Sequence, residues 1–121
     1  MDARDLQKNE LVKLTIHASL DVLSKHSQPF IPLFTHGTLE VEIYKPSGMD
    51  FQQPHAKDEV YIIATGTGHF LHEGERTSVQ VGDMLFVRAG ARHRFVDFSE
   101  DFSTWVVFYG PPGGEQATPV R

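Results

Sequence analysis

An all-β sandwich or barrel is the fold class this sequence predicts, on three observations. From Gly37 onward apolar and polar residues alternate with a period of two. The apolar residues fall in short runs, each bounded by glycine or proline. No stretch after residue 37 has helical periodicity long enough to serve as a βαβ crossover.

The elements follow in order. Leu6, Leu11, Leu14, Leu20 and Leu23 are spaced for short helical turns, with Ser19 placed to cap the turn at Leu20–Leu23. Pro29 and Pro32 then break the chain, and Phe30, Ile31, Leu33 and Phe34 anchor it on the core. Residues 1–36 therefore read as an irregular or partly helical N-terminal arm. Leu39, Val41 and Ile43 alternate with Glu40, Glu42 and Tyr44 in a strand buried on one face, the glutamates forming its solvated side. Further strands are expected at Val60–Ile63, His69–His72, Thr77–Gln80, Met84–Val87, His93–Val96 and Thr104–Tyr109, with turns at Gly66–Gly68, Glu73–Glu75, Gly82–Asp83 and Ala89–Ala91. Pro111–Gly114 stops the last strand. The barrel spans 37–110, and 111–121 form a loose tail without periodicity.

With 121 residues the chain is one domain, long enough to bury a core without staples. Eleven Lys and Arg against sixteen Asp and Glu give a net charge of −5. A nucleic-acid footprint needs a basic face, and attraction to anionic membranes needs positive charge, so neither partner is expected. No apolar stretch reads as a signal-peptide core or a membrane span, which predicts a soluble cytoplasmic protein. The absence of Cys removes disulfides, thiolate metal sites and Cys nucleophiles. Any metal must be held by nitrogen and oxygen from seven His and the acidic residues.

Ligand-type side chains concentrate in two stretches. The first is Gln53-Pro54-His55-Ala56-Lys57-Asp58-Glu59, with Gly66 six residues beyond. The second runs from Gly82 through Arg88-Ala89-Gly90 to His93 and Asp97. On an extended segment Gln53, His55 and Glu59 share a face, and His93 would join them from another strand. Two imidazoles and a carboxylate suit a divalent first-row metal: zinc, iron, manganese or nickel. Gln53 is a possible fourth ligand through its amide oxygen, and a slip of one residue would bring Gln52 there instead. The parity of Glu59 carries Tyr61 and Ile63 toward the same cavity. Arg88, near a turn, is a candidate for an anionic substrate group, although a solvated surface role is the commoner one for such an arginine. His69 and His72 differ in parity and read as non-ligands, and Arg92 and Arg94 flank His93 and point away from it.

These two stretches resemble the paired motifs of the cupin superfamily. His55, Glu59 and Gly66 fall on the second His, the Glu and the final Gly of the first motif, while Gln53 replaces its first His and Gly48 sits one residue too close. Gly82, Gly90 and His93 match the second motif in register, with Arg88 for its Pro and Asp97 for its Asn. Fifteen residues separate Gly66 from Gly82, a spacing like that of compact bacterial cupins. The resemblance covers roughly residues 37–110 and implies a jelly-roll barrel, a double-stranded β-helix. It resembles most the short single-domain cupins characterised by fold alone.

What this implies for function is a divalent metal in the barrel and a small molecule bound or acted on there, with oxygenase-, isomerase- or epimerase-like chemistry. The alternative is a metal-free, non-catalytic binding or sensing module with a degenerate site, favoured by Gln53 and Arg88. Small cupins commonly pair, and the run Phe102–Tyr109, apolar on both parities, needs a cover on its second face. A homodimer is expected, the N-terminal arm being the other possible cover. Trp105, Phe108, Phe95 and Phe98 read as core or dimer contact.

Overall fold

The computed structural model describes residues 10–50 and 52–116. One helix precedes eight strands: α1 (Ile16–Ser24), β1 (Phe30–His36), β2 (Leu39–Tyr44), β3 (Asp58–Thr65), β4 (Thr67–His72), β5 (Glu75–Gln80), β6 (Met84–Val87), β7 (His93–Val96) and β8 (Ser103–Tyr109). The strands form two antiparallel sheets, one of five in the order β1-β2-β8-β3-β6 and one of three in the order β5-β4-β7. This is the all-β barrel that the alternation and turn spacing predict.

Two apolar clusters lie on opposite faces of the larger sheet. Between the sheets, Tyr61, Ile63, Phe70, Val87, Phe95 and Phe102 form the barrel core. On the outside, Leu23 of α1 packs over Ile31, Leu33, Ile43 and Ala64, with Trp105 at the margin. The parity of β2 follows from this. Its apolar residue Ile43 is buried toward the helix, whereas Tyr44, of the opposite parity, enters the barrel core. Glu40 and Glu42 share the parity of Tyr44 and turn toward the barrel interior, which corrects their reading as a solvated face.

The segment read as an arm resolves into a helix and a strand. Thr15, rather than Ser19, caps α1: its hydroxyl accepts from Ala18 N at 3.2 Å, while Ser19 is buried inside the helix. Phe30–His36 is paired with β2 despite Pro32, because β1 is an edge strand and its register shifts between Pro32 and Phe34. Beyond Gly110 the chain stays on the barrel: Gly113 N donates to Ala56 O at 2.6 Å, and Glu115 N donates to Asp58 Oδ2 at 2.8 Å. Residues 1–9 and 117–121, within the expected arm and tail, lie outside the described residues.

Candidate metal centre and cavity

Glu59 starts the site. It projects from β3 into the barrel, where it is 1% exposed. His93 at the start of β7 is 7% exposed and reaches Glu59 Oε1 with Nε2 at 3.0 Å. His55 lies in the loop before β3, half-buried, with Nε2 3.9 Å from Glu59 Oε2. One ligand atom from each of the three lies within 4.8 Å of the others. The two motifs are tied by backbone as well: Gly90 N donates to His55 O at 2.8 Å, across a turn that Gly90 permits with φ of 82°. At the other end of β3, Gly66 has φ of 76°, and a Cβ there would approach Phe102 Cα to 2.7 Å.

The hydrogen-bond chain around the triad has a direction. Asp50 is buried, and its oxygens accept from Tyr44 Oη at 2.5 Å, Phe95 N at 2.8 Å and Gln52 Nε2 at 2.9 Å. A carboxylate only accepts, so the amide nitrogen of Gln52 faces Asp50 and its oxygen faces the site. Gln52 Oε1 accepts from Tyr61 Oη at 2.6 Å and lies 3.4 Å from His55 Nε2. Tyr61 Oη is also 3.0 Å from His93 Nε2. His93 Nδ1 donates to Ala91 O at 2.9 Å, which leaves Nε2 as the lone-pair nitrogen of the neutral ring.

Charge at the site is unbalanced. Neither buried oxygen of Glu59 receives a well-aligned hydrogen bond. Burial alone would lower the His93 pKa, but Glu59, the Ala91 carbonyl and Asp50 outweigh it and raise it. Burial, and then the Glu59 carboxylate, hold the Tyr61 phenol well above its ordinary value, so it stays a proton donor. Beside the triad, Asp58 accepts from Ala89 N and Glu115 N, which lower its pKa and pin both segments to β3.

A cavity of about 790 Å³ opens onto His55 and Glu59. Phe108, Val106, Phe30 and Met49 form apolar parts of its wall, and Phe108 meets the His55 ring edge-on with centroids 4.9 Å apart. Glu42 also lines it. Burial, followed by the charges of Glu40 and Glu59, raises the Glu42 carboxyl to about 7.

His55, Glu59 and His93, singled out in the two motifs, are brought together, and Tyr61 joins them through its hydroxyl. Gln53 is exposed, and Gln52 holds the inward position instead. Ile63 is packed in the barrel core and Arg88 is exposed; neither lines the cavity. His69 and His72 stay outside the His55–Glu59–His93 group. The pattern of residue types does not single out Asp50, Glu42 or Phe108 as site groups. Strand parity taken from Tyr44 inward would have found Glu42, but Asp50 follows a break in the strand and had no periodicity to place it.

Comparison with known proteins agrees with this architecture. Residues 40–109 match the cupin domain family, which is more than half of the chain, and the protein belongs to that family. An uncharacterised protein of Streptomyces coelicolor is 42% identical over 62 residues, covering 51% of this chain and 59% of that protein. The chain thus spans less than two thirds of that relative's length. A cupin 2 conserved barrel domain protein of Salinispora arenicola superposes with a TM-score of 0.62 at 18% identity, covering 85% of this chain and 91% of that one. A candidate mannose-6-phosphate isomerase of Ralstonia eutropha gives 0.55 at 25% identity over 68% and 83% of the two chains. The DMSP lyase of Ruegeria pomeroyi gives 0.60 at 24% identity over 81% of this chain and 55% of that chain.

Proposed function

We propose that His55, Glu59 and His93 hold a divalent first-row metal ion and that a small molecule binds against it in the adjoining cavity. The observation that carries this is Glu59. A buried carboxylate without aligned donors costs several kcal/mol unless a positive charge answers it, on the order of the penalty for an unpaired buried ion. Two imidazole nitrogens converge on the same point, and the Ala91 carbonyl sets the tautomer of one of them for ligation. The residues fit a facial set of two nitrogens and one carboxylate with open positions. For the fourth donor we favour Gln52 over the sequence candidate Gln53, because Gln53 is exposed and Asp50 orients the Gln52 oxygen toward His55. Bound there, a divalent ion supplies Lewis acidity toward an oxygen of the small molecule. Tyr61 contributes a neutral phenol whose one proton goes to Gln52 Oε1 and so holds that amide in place.

Of the reactions implied by the cupin resemblance, an isomerase-like one is supported by the Ralstonia relative at 25% identity. The competing reading is a metal-free binding module in which protonated His93 answers Glu59, favoured by their 3.0 Å approach. Metal analysis of gently purified protein separates the two. A bound equivalent of zinc, iron, manganese or nickel that is lost in His55→Ala and in His93→Ala supports the metal reading; metal-free wild-type protein refutes it. We infer further that the chain pairs as a homodimer, a proposal resting on the apolar sheet face at Ile62, Met84 and Phe86 that the described residues leave exposed.

A further inference from the structure

We propose that Glu42 is the specificity-determining residue of the cavity, selecting a small molecule that carries a cationic or hydrogen-bond-donating group at the end remote from the metal site. The inference rests on the metal reading above, since it needs His55, Glu59 and His93 to hold the other end of the ligand.

Position comes first. Glu42 pairs with Val106 across β2 and β8, and Val106 pairs with Tyr61 across β8 and β3. In the next row Glu40, Phe108 and Glu59 stand side by side. Glu42 is therefore two strands from the triad, roughly 10 Å along the sheet at ordinary strand spacing. Its side chain lines the same cavity as His55 and Glu59.

The ground between the two ends is apolar. Val106 and Phe108, on the strand that separates Glu42 from β3, both line the cavity. A ligand spanning it meets a greasy floor in the middle and polar groups at the ends, which is the usual division between affinity and orientation in such pockets.

Glu42 is also unspent. Among the described residues it has no hydrogen-bond or ion-pair partner, although it is half-buried. The amine nearest to hand, Lys45, lines the cavity but donates to Glu100 O at 2.6 Å. A half-buried carboxylate without a partner favours a ligand that brings the missing donor, and Glu40 and Glu59 on the same face add to its negative field. The ligand class is thus a small molecule with a metal-binding oxygen head, a short apolar body and an ammonium or donor tail. A carboxylate or phosphate tail is disfavoured by like charge.

Three hydroxamates of matched length test this on the zinc-loaded protein at pH 8 by calorimetry: butanohydroxamate, 4-aminobutanohydroxamate and the monohydroxamate of succinate. All three share the metal-binding head and differ only in the tail. The ammonium tail is expected to bind about tenfold more tightly than the neutral one and the carboxylate tail about tenfold more weakly, the size of a charge-assisted hydrogen bond gained or a like charge met. In Glu42→Gln, with zinc content unchanged, the three should converge. Equal affinities in the wild-type protein overturn the proposal, as does the same order surviving in Glu42→Gln. The wild-type order decides the matter even if the variant folds poorly. Binding by none of the three, with zinc present, overturns the metal reading and this proposal with it; binding by all three alike leaves the metal reading standing and removes Glu42.

Discussion

Two buried or half-buried glutamates, one on each side of the cavity, set the electrostatic behaviour of individual residues here. Glu59 is 1% exposed, and its oxygens lack aligned donors. A cation bound only by the folded state stabilises it by about 2.7 kcal/mol at a hundred times its dissociation constant. Wild-type protein titrated with zinc should therefore melt higher, while Glu59→Gln, His55→Ala and His93→Ala should show little response. The same titration orders the two glutamines. Loss of the oriented Gln52 oxygen in Gln52→Ala is expected to weaken metal binding roughly tenfold, the lower end of what loss of a supporting group costs. The exposed Gln53 should be replaceable by alanine without effect, and the reverse pattern would return the fourth position to Gln53. Glu42 makes a separate prediction in metal-free protein. Its carboxyl is raised from 4.5 to about 7, so between those values the folded state holds a proton that the unfolded state has lost. Its contribution to stability is complete below about 4.5 and falls as pH rises through about 7. The melting temperature of wild-type protein should decline relative to Glu42→Gln from pH 5 to pH 8; parallel profiles would remove the buried-acid description of Glu42.

Elements show which parts of the fold could be read from residue patterns and which could not. Strands β2 to β8 were legible because each is a short alternating or apolar run, and most end in a glycine turn, as at Gly66; after β7 Asp97 takes the left-handed φ instead. The left-handed φ of Gly66 and the contact a Cβ would make with Phe102 Cα, together with Ser99, predict that Gly66→Ala destabilises by about 2 kcal/mol, the scale of strain at such a position. A two-state urea melt reads this directly. Strand β1 was hidden by Pro29 and Pro32, which local rules take as chain breakers; tertiary pairing with β2 tolerates Pro32 only because β1 is the sheet edge. The inward side of β2 was hidden for a different reason. The rule that apolar residues face the core assigned Ile43 correctly to a buried face, but that face belongs to α1, and on the barrel side of this strand Glu42 lines the cavity. The convergence of His55, Glu59 and His93 follows the spacing of the two motifs, whereas Gln52 rather than Gln53 turns inward because the segment before β3 is not a regular strand, so parity does not carry through Pro54. Leu33, 2% exposed beneath α1, tests the helix as part of the fold: Leu33→Ala should cost roughly 2–5 kcal/mol if the outer cluster is a packed core.

At the scale of the whole molecule, the described residues cover only half of the outer face of the five-stranded sheet. Helix α1 and β1 bury the side around Ile43, Ala64 and Trp105. This provides the cover that the two-sided apolar run of β8 requires on its Trp105 side. Toward the opposite edge, Ile62 on β3 and Met84 and Phe86 on β6 are 39%, 62% and 50% exposed. Ile62 and Met84 are register partners, and Val60 pairs with Phe86, so these side chains form one contiguous strip. Strand β6 is also an edge of its sheet, and among the described residues no strand pairs with its outer side. An apolar strip along an open strand edge invites aggregation unless a partner closes it. In the proposed homodimer a second copy related by a two-fold axis would close it with a single self-complementary contact, β6 against β6 and each Phe86 over its mate's Met84. The dimer proposed at this edge differs from one centred on Trp105, because α1 already occupies that face. Light scattering at micromolar concentration should give twice the 13.6 kDa chain mass. Phe86→Asp places a charge in the proposed contact and should yield the single-chain mass with the metal response intact, whereas a charge at the exposed Leu11, ahead of α1 in the sequence, should leave the pair undisturbed. A wild-type mass of one chain would dispose of the dimer, and a dimer that persists through Phe86→Asp would move the interface off this edge.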